Sequence, residues 1–255
     1  MKSVGVKIDR LNSDFFYLGT NAYYKFNEQN GQLIDHKNDN DSNVLVNIQK
    51  NQPGLIPNTT SYGFSGNSFV EIPNSTDFIF TDGQNDIPFS VEFFFEISSI
   101  RNNRFWLVNK RDLSNDNKNG WQIMYYLNNL QFWMYPLEKK PIGVAINIDL
   151  ELGKKYHLIA TYGGSKKSRD LNLYLNSYNN INLRGTDIPN PDINLSNEYS
   201  GLLDSGAPLT IGKAGWSDLG YFNGRIQMLN IAKGIEYNQQ EVNSLYINGN
   251  VRYLL

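Results

Sequence analysis

Apolar and polar residues alternate in short runs along most of the chain, and clusters of Gly, Asn, Asp and Pro separate the runs. A two-residue repeat places successive side chains on opposite faces of a β-strand. The clearest run spans residues 90–98, in which Val91, Phe93, Phe95 and Ile97 share one face. Many such runs between turn residues predict an all-β chain, folded as a two-sheet antiparallel β-sandwich.

Further strands are predicted wherever the alternation recurs. They span residues 104–109, 120–126, 130–135, 155–162 and 170–175. Two consecutive asparagines, Asn128 and Asn129, predict a tight hairpin, because Asn accepts a positive φ. Within these strands Trp106 and Trp133 are interpreted as core residues, since each follows the alternation of its strand.

The C-terminal part carries the most specific pattern. Residues 202–212 predict a strand entered through a turn at Pro208, and residues 221–231 predict an aromatic-Asn-Gly turn followed by a second strand. In that second strand simple alternation places Ile226, Met228 and Asn230 on one face and Arg225, Gln227, Leu229 and Ile231 on the other. Asn238 stands three residues before Glu241, which is the spacing of a capping box and predicts one short C-terminal helix.

This order of strand, glycine turn, strand and closing helix resembles the end of a laminin-G-like domain of the concanavalin A-like superfamily. Earlier motifs extend the resemblance over about residues 21–247. They include Tyr24–Glu28, Pro53–Leu55, Tyr62–Gly66, Phe69–Pro73, Phe89–Glu92, Leu152–Leu158 and Leu171–Asn176. The chain departs from the family at Gln227, where an acidic residue is usual, and around Asp39–Val44, where small glycine turns are missing. The resemblance implies a jelly-roll sandwich that binds glycans or proteins.

Residues 1–20 fall outside the resemblance. Val4, Val6 and Ile8 alternate, and residues 14–18 are rich in aromatics. The segment is therefore interpreted as an extra edge strand of the same sandwich or as an arm that docks on a neighbouring subunit. Residues 21–255 form the predicted laminin-G-like domain.

Composition narrows the partners. The net charge of −2 gives no overall attraction to nucleic acid, and the absence of cysteine excludes disulfides. No stretch approaches the roughly 20 apolar residues of a membrane span, and the N-terminus lacks the apolar run of a secretory signal. The sequence is therefore interpreted either as a mature chain or as a protein made in a cytoplasm, and in the second case we expect it to reach a virion or another extracellular surface by assembly.

Catalytic patterns are weak in this sequence. A glycosidase needs two carboxylates about 5–10 Å apart, whereas Glu92 and Glu96 are separated by about 13 Å along their strand. The two histidines, His36 and His157, accompany no nucleophile elbow. The expectation is a protein that is not an enzyme.

Loop aromatics and carboxylates are the binding candidates. Trp216 stands between glycines, either as a ligand contact or as a plug that fills its own loop, and Trp121 is favoured as a core residue. The expected ligand-binding set is Arg111, Asp112, Asn117, Trp121, Trp216, Asp218 and Tyr221. Asp112, Asp116 and Asp218 could converge on calcium, although a metal-free surface is the favoured alternative and no other cofactor is expected.

Three functions follow in order of preference. The first is a non-enzymatic recognition or structural protein at the surface of a larger assembly, such as a phage virion decoration or tail appendage. Its expected partners are a glycan or glycosylated surface, other structural subunits and further copies of itself. The second is a stand-alone, lectin-like adhesion module that binds carbohydrate, and the third is a glycoside hydrolase on the same fold.

Overall fold

The computed structural model describes residues 20–111, 113, 119–136, 141–177, 182–184, 186–187, 199–215 and 220–252. Its first strands are β1 (Thr20–Tyr24), β2 (Val44–Val46), β3 (Gln49–Pro53), β4 (Thr60–Ser65), β5 (Phe69–Ile72), β6 (Phe89–Ile97), β7 (Arg104–Arg111) and β8 (Gly120–Tyr126). The later strands are β9 (Asn129–Tyr135), β10 (Ile142–Asn147), β11 (Lys155–Tyr162), β12 (Leu171–Ser177), β13 (Asn182–Arg184), β14 (Thr186–Asp187), β15 (Leu209–Ile211) and β16 (Asn223–Lys233). The α-helix α1 follows at Gln239–Arg252. Residues 1–19 lie outside the described range, so the arm and edge-strand interpretations remain predictions.

Two antiparallel sheets form the molecule. Sheet A has the strand order β13-β12-β11-β6-β16-β4-β3, with β1 paired to β16 as well. Sheet B has the order β14-β10-β9-β8-β7-β15-β5-β2. The prediction of an all-β, two-sheet sandwich with one short C-terminal helix is confirmed for the described part of the chain.

The core fills the space between the two sheets. Val91, Phe93, Phe95 and Ile97 of β6 are fully buried and form one cluster with side chains such as Phe132 from sheet B. Complete burial of an apolar side chain of this size contributes about 1.5–3 kcal/mol. Strand β6 lies between β11 and β16 in sheet A and pairs with both. The face that carries its four apolar side chains is therefore the inner face of this part of sheet A.

Strand β16 breaks the predicted alternation. Its pairing with β6 shifts between Gln227 and Leu229, and Met228 takes a φ of 52°. A β-bulge inserts one residue and reverses the side-chain alternation beyond it. Consequently Ile226, Leu229 and Ile231 all belong to the central core, and the predicted grouping of Ile226 with Met228 was wrong.

The hairpin between β8 and β9 lies one residue earlier than predicted. Tyr126 pairs with Asn129, and the two turn residues are Leu127 and Asn128, with φ of 47° and 59°. Two-residue hairpins favour positive φ at both central positions because that backbone matches the strand twist. Asn129 is therefore the first residue of β9, not part of the turn.

Helix α1 covers part of the outer face of sheet A. Its N-terminus forms the predicted capping box: the Glu241 N–H donates to Asn238 Oδ1 at 3.1 Å, and the Asn238 N–H donates to Glu241 Oε2 at 2.8 Å. Val242 and Leu245 are buried against Ile159 and Tyr174. The helix thereby closes this region of the sheet with the protein's own side chains.

Candidate functional site

The outer face of sheet B carries aromatic, amide and arginine side chains. On β8, Trp121, Ile123 and Tyr125 point into the core, so Gln122, Met124 and Tyr126 point outward. Neighbouring strands continue this surface, which we call the aromatic face. It comprises Arg104, Trp106, Arg111, Gln122, Met124, Tyr126, Gln131, Trp133 and Tyr135.

Two tryptophans of this face test the sequence interpretation. Trp106 is buried, but it packs with Met124 and Ala214 in a cluster separate from the central core. Trp133 is half-buried at the edge of the same cluster. The burial predicted for Trp106 is therefore confirmed, although it lies outside the central core, and the core assignment of Trp133 was wrong. Two alternating sets of large apolar residues occupy β9, and periodicity does not say which set faces inward.

A bulge in β7 keeps its side chains in phase with this surface. The pairing with β8 shifts between Trp106 and Val108, and both Leu107 and Val108 belong to the central core. Trp106 and Asn109 consequently point outward on either side of the bulge. The inserted residue thus places Trp106 beside Gln122.

Gln122 connects the rings of the aromatic face. Its Oε1 accepts a hydrogen bond from Trp106 Nε1 at 3.2 Å, and its Nε2 donates to the Tyr135 hydroxyl at 3.1 Å. The same Nε2 contacts Met124 Sδ at 3.1 Å. Because Gln122 is 2% exposed, these bonds satisfy a buried amide and fix the orientation of two rings.

The Trp133 ring packs directly on the backbone of Gly143. A Cβ added to Gly143, its partner on β10, would stand 2.5 Å from the indole Cε3 atom, so no larger residue fits there. Trp133 Nε1 donates to Gln131 Oε1 at 2.8 Å, and the Trp133 and Tyr135 ring centroids are 5.9 Å apart. Glycine therefore allows the indole to lie close to the sheet beside a second ring.

Two arginines stack on rings at opposite ends of β7. The Arg104 guanidinium lies 4.5 Å from the Tyr126 ring centroid, and that of Arg111 lies 3.4 Å from the Tyr135 ring centroid. Burial lowers the pKa of Arg111 and raises the pKa of Tyr135 to about 12, although the Arg111 charge opposes the second shift. Arg111 and Tyr135 thus form a partly desolvated cation–ring pair at this end of the face.

The structure places three of the predicted ligand-binding residues. Arg111 belongs to the aromatic face, and Tyr221 is half-buried with its ring centroid 6.3 Å from that of Phe69 on β5. Trp121 is 1% exposed in the core beside Phe89, so the core interpretation is confirmed and the proposed ligand contact was wrong. The remaining predicted residues, Asp112, Asp116, Asn117, Trp216 and Asp218, lie outside the described part of the chain.

The calcium hypothesis stays a prediction, because all three of its carboxylates are among those residues. Within the described ranges, no group of three or more His, Asp or Glu side chains is arranged to hold a metal ion. Across the same ranges, no helix is long and apolar enough to cross a membrane.

The outer face of sheet A differs in its polar residues. Glu92 is fully buried and its Oε1 lies 2.9 Å from His157 Nε2, while Asn230 Nδ2 donates to Glu92 Oε2 at 3.3 Å. Tyr246 of α1 approaches the His157 ring edge-on at 4.8 Å, and burial beside Glu92 raises the pKa of this tyrosine. Glu96 forms an ion pair with Arg225. Both glutamates therefore bind protein groups on the sheet opposite the aromatic face.

Comparison with known proteins finds similarity in structure alone. No protein-family model and no curated protein sequence matches the chain. The receptor-binding domain of botulinum neurotoxin D matches with a TM-score of 0.63 and 15% sequence identity. The match covers 91% of this chain and 53% of that chain. The botulinum neurotoxin serotype D ligand-binding domain in complex with N-acetylneuraminic acid matches with a TM-score of 0.61 and 15% identity, over 90% of this chain and 51% of that chain. A Trypanosoma rangeli sialidase in complex with sialic acid matches with a TM-score of 0.59 and 14% identity, over 92% of this chain and 34% of that chain.

The chain thus spans about half the length of the neurotoxin structures and a third of the sialidase. Identities of 14–15% show a shared fold and no more. These matches show that the chain shares a sheet-rich fold with parts of those structures.

Proposed function

We propose that this chain is a glycan-binding module of the laminin-G-like, concanavalin A-like type, and that sugar binds on the aromatic face. The observation that carries the proposal is the set of three half-buried rings on one outer sheet face, Tyr126, Trp133 and Tyr135. Tyr126 and Trp133 pack against the buried Trp106. Indole and phenol rings offer a flat apolar surface together with a polar edge, which suits the C–H face and the hydroxyls of a sugar ring.

Polar groups between the rings support the same role. The Gln131 amide and the guanidinium groups of Arg104 and Arg111 are half-buried beside them, within reach of a ligand lying on the rings. Gln122 and Gly143 hold Trp106 and Trp133 in place before any ligand arrives. A pre-formed surface loses little conformational freedom on binding, which favours affinity.

The structural matches support the fold on which this proposal rests. Two of the similar structures are complexes with sialic acid. Since the chain covers 51% and 34% of those structures, the names do not locate the sugar within the matched part. The proposal therefore depends on the residues of the aromatic face.

We propose binding without hydrolysis. Glu92 is held by His157 and Asn230, and Glu96 by Arg225, all on sheet A. Most glycosidases use two carboxylates that flank the sugar bond, and these two glutamates are engaged with protein groups instead. The virion or extracellular setting, the structural subunits and the homo-oligomer remain predictions, and the glycan-binding role is compatible with a stand-alone module or with a subunit of an assembly.

A glycan array probed with the labelled protein tests the proposal. We expect selective binding that falls at least ten-fold in Trp133→Ala. The matched control is Phe94→Leu, which shortens a half-buried aromatic residue on the outer face of sheet A. This control should bind as the parent protein does. Equal loss in both variants, or no saccharide binding by the folded parent protein, would contradict the proposal.

A further inference from the structure

We infer that Arg104 recognises an anionic group, a carboxylate or a sulfate, on the glycan that the aromatic face binds. This inference rests on the proposed function and makes it more specific. Its basis is the arrangement at one end of β7, where a cation lies over two rings and has no anionic partner among the described residues.

Arg104 differs from two other cations of this sandwich, Arg225 and Lys213, which have acidic partners. Its guanidinium lies 4.5 Å from the Tyr126 ring centroid and 5.9 Å from that of Trp106. In the described part of the chain, its side chain takes part in no hydrogen bond or ion pair. By contrast, Arg225 pairs with Glu96, and Lys213 Nζ lies 3.1 Å from Glu71 Oε1.

A glycine lies beside Arg104 and Trp106. Gly220 lies against this end of the face, and a Cβ there would stand 2.3 Å from Trp106 Cζ3 and 3.4 Å from Arg104 Cγ. The Gly220 carbonyl accepts the Trp106 backbone N–H at 3.1 Å, which fixes this segment beside the ring. A glycine with a φ of 74° thus passes close to both side chains without covering them with a side chain of its own.

The chemistry of a half-buried guanidinium favours an anion. Arginine remains charged at neutral pH and presents planar N–H donors that match a carboxylate or sulfate in two parallel hydrogen bonds. Partial burial removes some of the water that would otherwise satisfy these donors, and stacking on Tyr126 fixes the plane of the group. An acidic sugar on the rings would supply the missing acceptor.

The test compares matched glycans on one array: sialylated chains, the same chains after desialylation, uronic acid oligosaccharides, and sulfated and unsulfated pairs. The parent protein should bind at least one acidic member ten-fold or more tightly than its neutral counterpart. Arg104→Gln should lose that preference, so that it binds the acidic and the neutral member of the pair with similar affinity. Whether sialylated, uronic or sulfated chains lead identifies the source of the charge.

Arg101→Gln is the control, because it removes the same charge from an exposed arginine in the preceding turn. Its preference for acidic chains should match that of the parent protein. Binding of neutral glycans with no acidic preference would overturn the inference and leave the proposed function standing. An equal loss in both arginine variants would also overturn it, since overall charge would then explain the effect. Binding of no glycan would overturn both.

Discussion

The two outer faces of this sandwich are built from the same kind of alternating strands, but they differ in how much of each is covered by other parts of the chain. On sheet A, α1 covers Ile159 and Tyr174, and residues 54–59 cover Met228. On sheet B, Trp133, Tyr126 and Tyr135 remain half-buried. One face is closed by the protein's own chain, and the other keeps large rings at the surface.

The two faces also differ in what their buried glutamine side chains bind. On sheet A the Gln227 Oε1 accepts the N–H groups of Leu55 and Ile56 at 2.6 and 3.0 Å, so a side chain fastens the covering loop. On sheet B the buried Gln122 bonds to Trp106 and Tyr135, so it orients rings. The first amide fastens a covering loop, and the second orients rings on the face where we propose that glycan binds.

The largest expected effect comes from breaking the buried pair on the closed face. His157→Ala leaves the Glu92 carboxylate buried without its nearest partner, which should lower the free energy of unfolding by about 3–5 kcal/mol. Urea denaturation measures this loss. The double variant Glu92→Leu/His157→Leu should recover part of it, because no uncompensated charge remains. If His157→Ala unfolds at the parent's urea midpoint, the pair is not structural.

The second prediction concerns a buried lysine of β7 in sheet B. Lys110 points away from the aromatic face and donates to the Ala207 carbonyl at 2.6 Å. Burial lowers its pKa from 10.5 to about 8, although Asp204 opposes the shift. Between these values the unfolded chain binds more protons at this lysine, so the free energy of unfolding rises with pH.

The parent protein should therefore gain about 2 kcal/mol relative to Lys110→Met between pH 7.5 and 9.5. Parallel urea titrations at the two pH values measure the difference. The window stays below pH 10, where the buried tyrosines of raised pKa, such as Tyr135, begin to affect stability in the opposite sense. A difference that does not change with pH would refute the assignment of a desolvated cation to Lys110.

The third prediction concerns the open face. Gln122→Leu removes the acceptor of the buried Trp106 N–H and should lower the free energy of unfolding by about 1–2 kcal/mol. It should also weaken glycan binding, because both Trp106 and Tyr135 lose their fixed orientation. Gln122→Glu retains an acceptor for Trp106 and is the matched control. Unchanged binding in folded Gln122→Leu would mean that these rings do not contact the ligand.

The smallest effect is expected at the start of α1. Asn238→Ala removes the cap that accepts the N–H groups of Gln240 and Glu241, which should cost about 1 kcal/mol. Glycan binding should not change, because the helix closes the other sheet. Thermal unfolding and one binding titration measure both quantities. A loss of affinity larger than ten-fold would place α1 in the binding site.

Much of the fold could be predicted because strand alternation and turn chemistry are local. The β6 alternation and the Asn238–Glu241 capping box both appear in the structure where the sequence predicts them. The bulge at Met228 could not be predicted, since nothing in the residue pattern marks the extra residue. It changes which side chains of β16 face the core.

The candidate site was harder to predict than the fold. Arg111 was chosen from its loop, whereas Trp106 and Trp133 were assigned to the core. In β9 the inward Phe132 and Met134 alternate with the outward Trp133 and Tyr135, so both strand faces are strongly apolar. A strand with two apolar faces is itself a signal that one of them serves a ligand or a covering element.

The central claim is that ligand binds on sheet B and not on sheet A. A heteronuclear NMR titration of the labelled protein with an array-selected glycan tests it through the indole N–H signals of the chain's four tryptophans. We expect the Trp133 and Trp106 signals to shift and that of the core residue Trp121 to stay. Shifts confined to the backbone amides of α1 and residues 54–59 would contradict the claim.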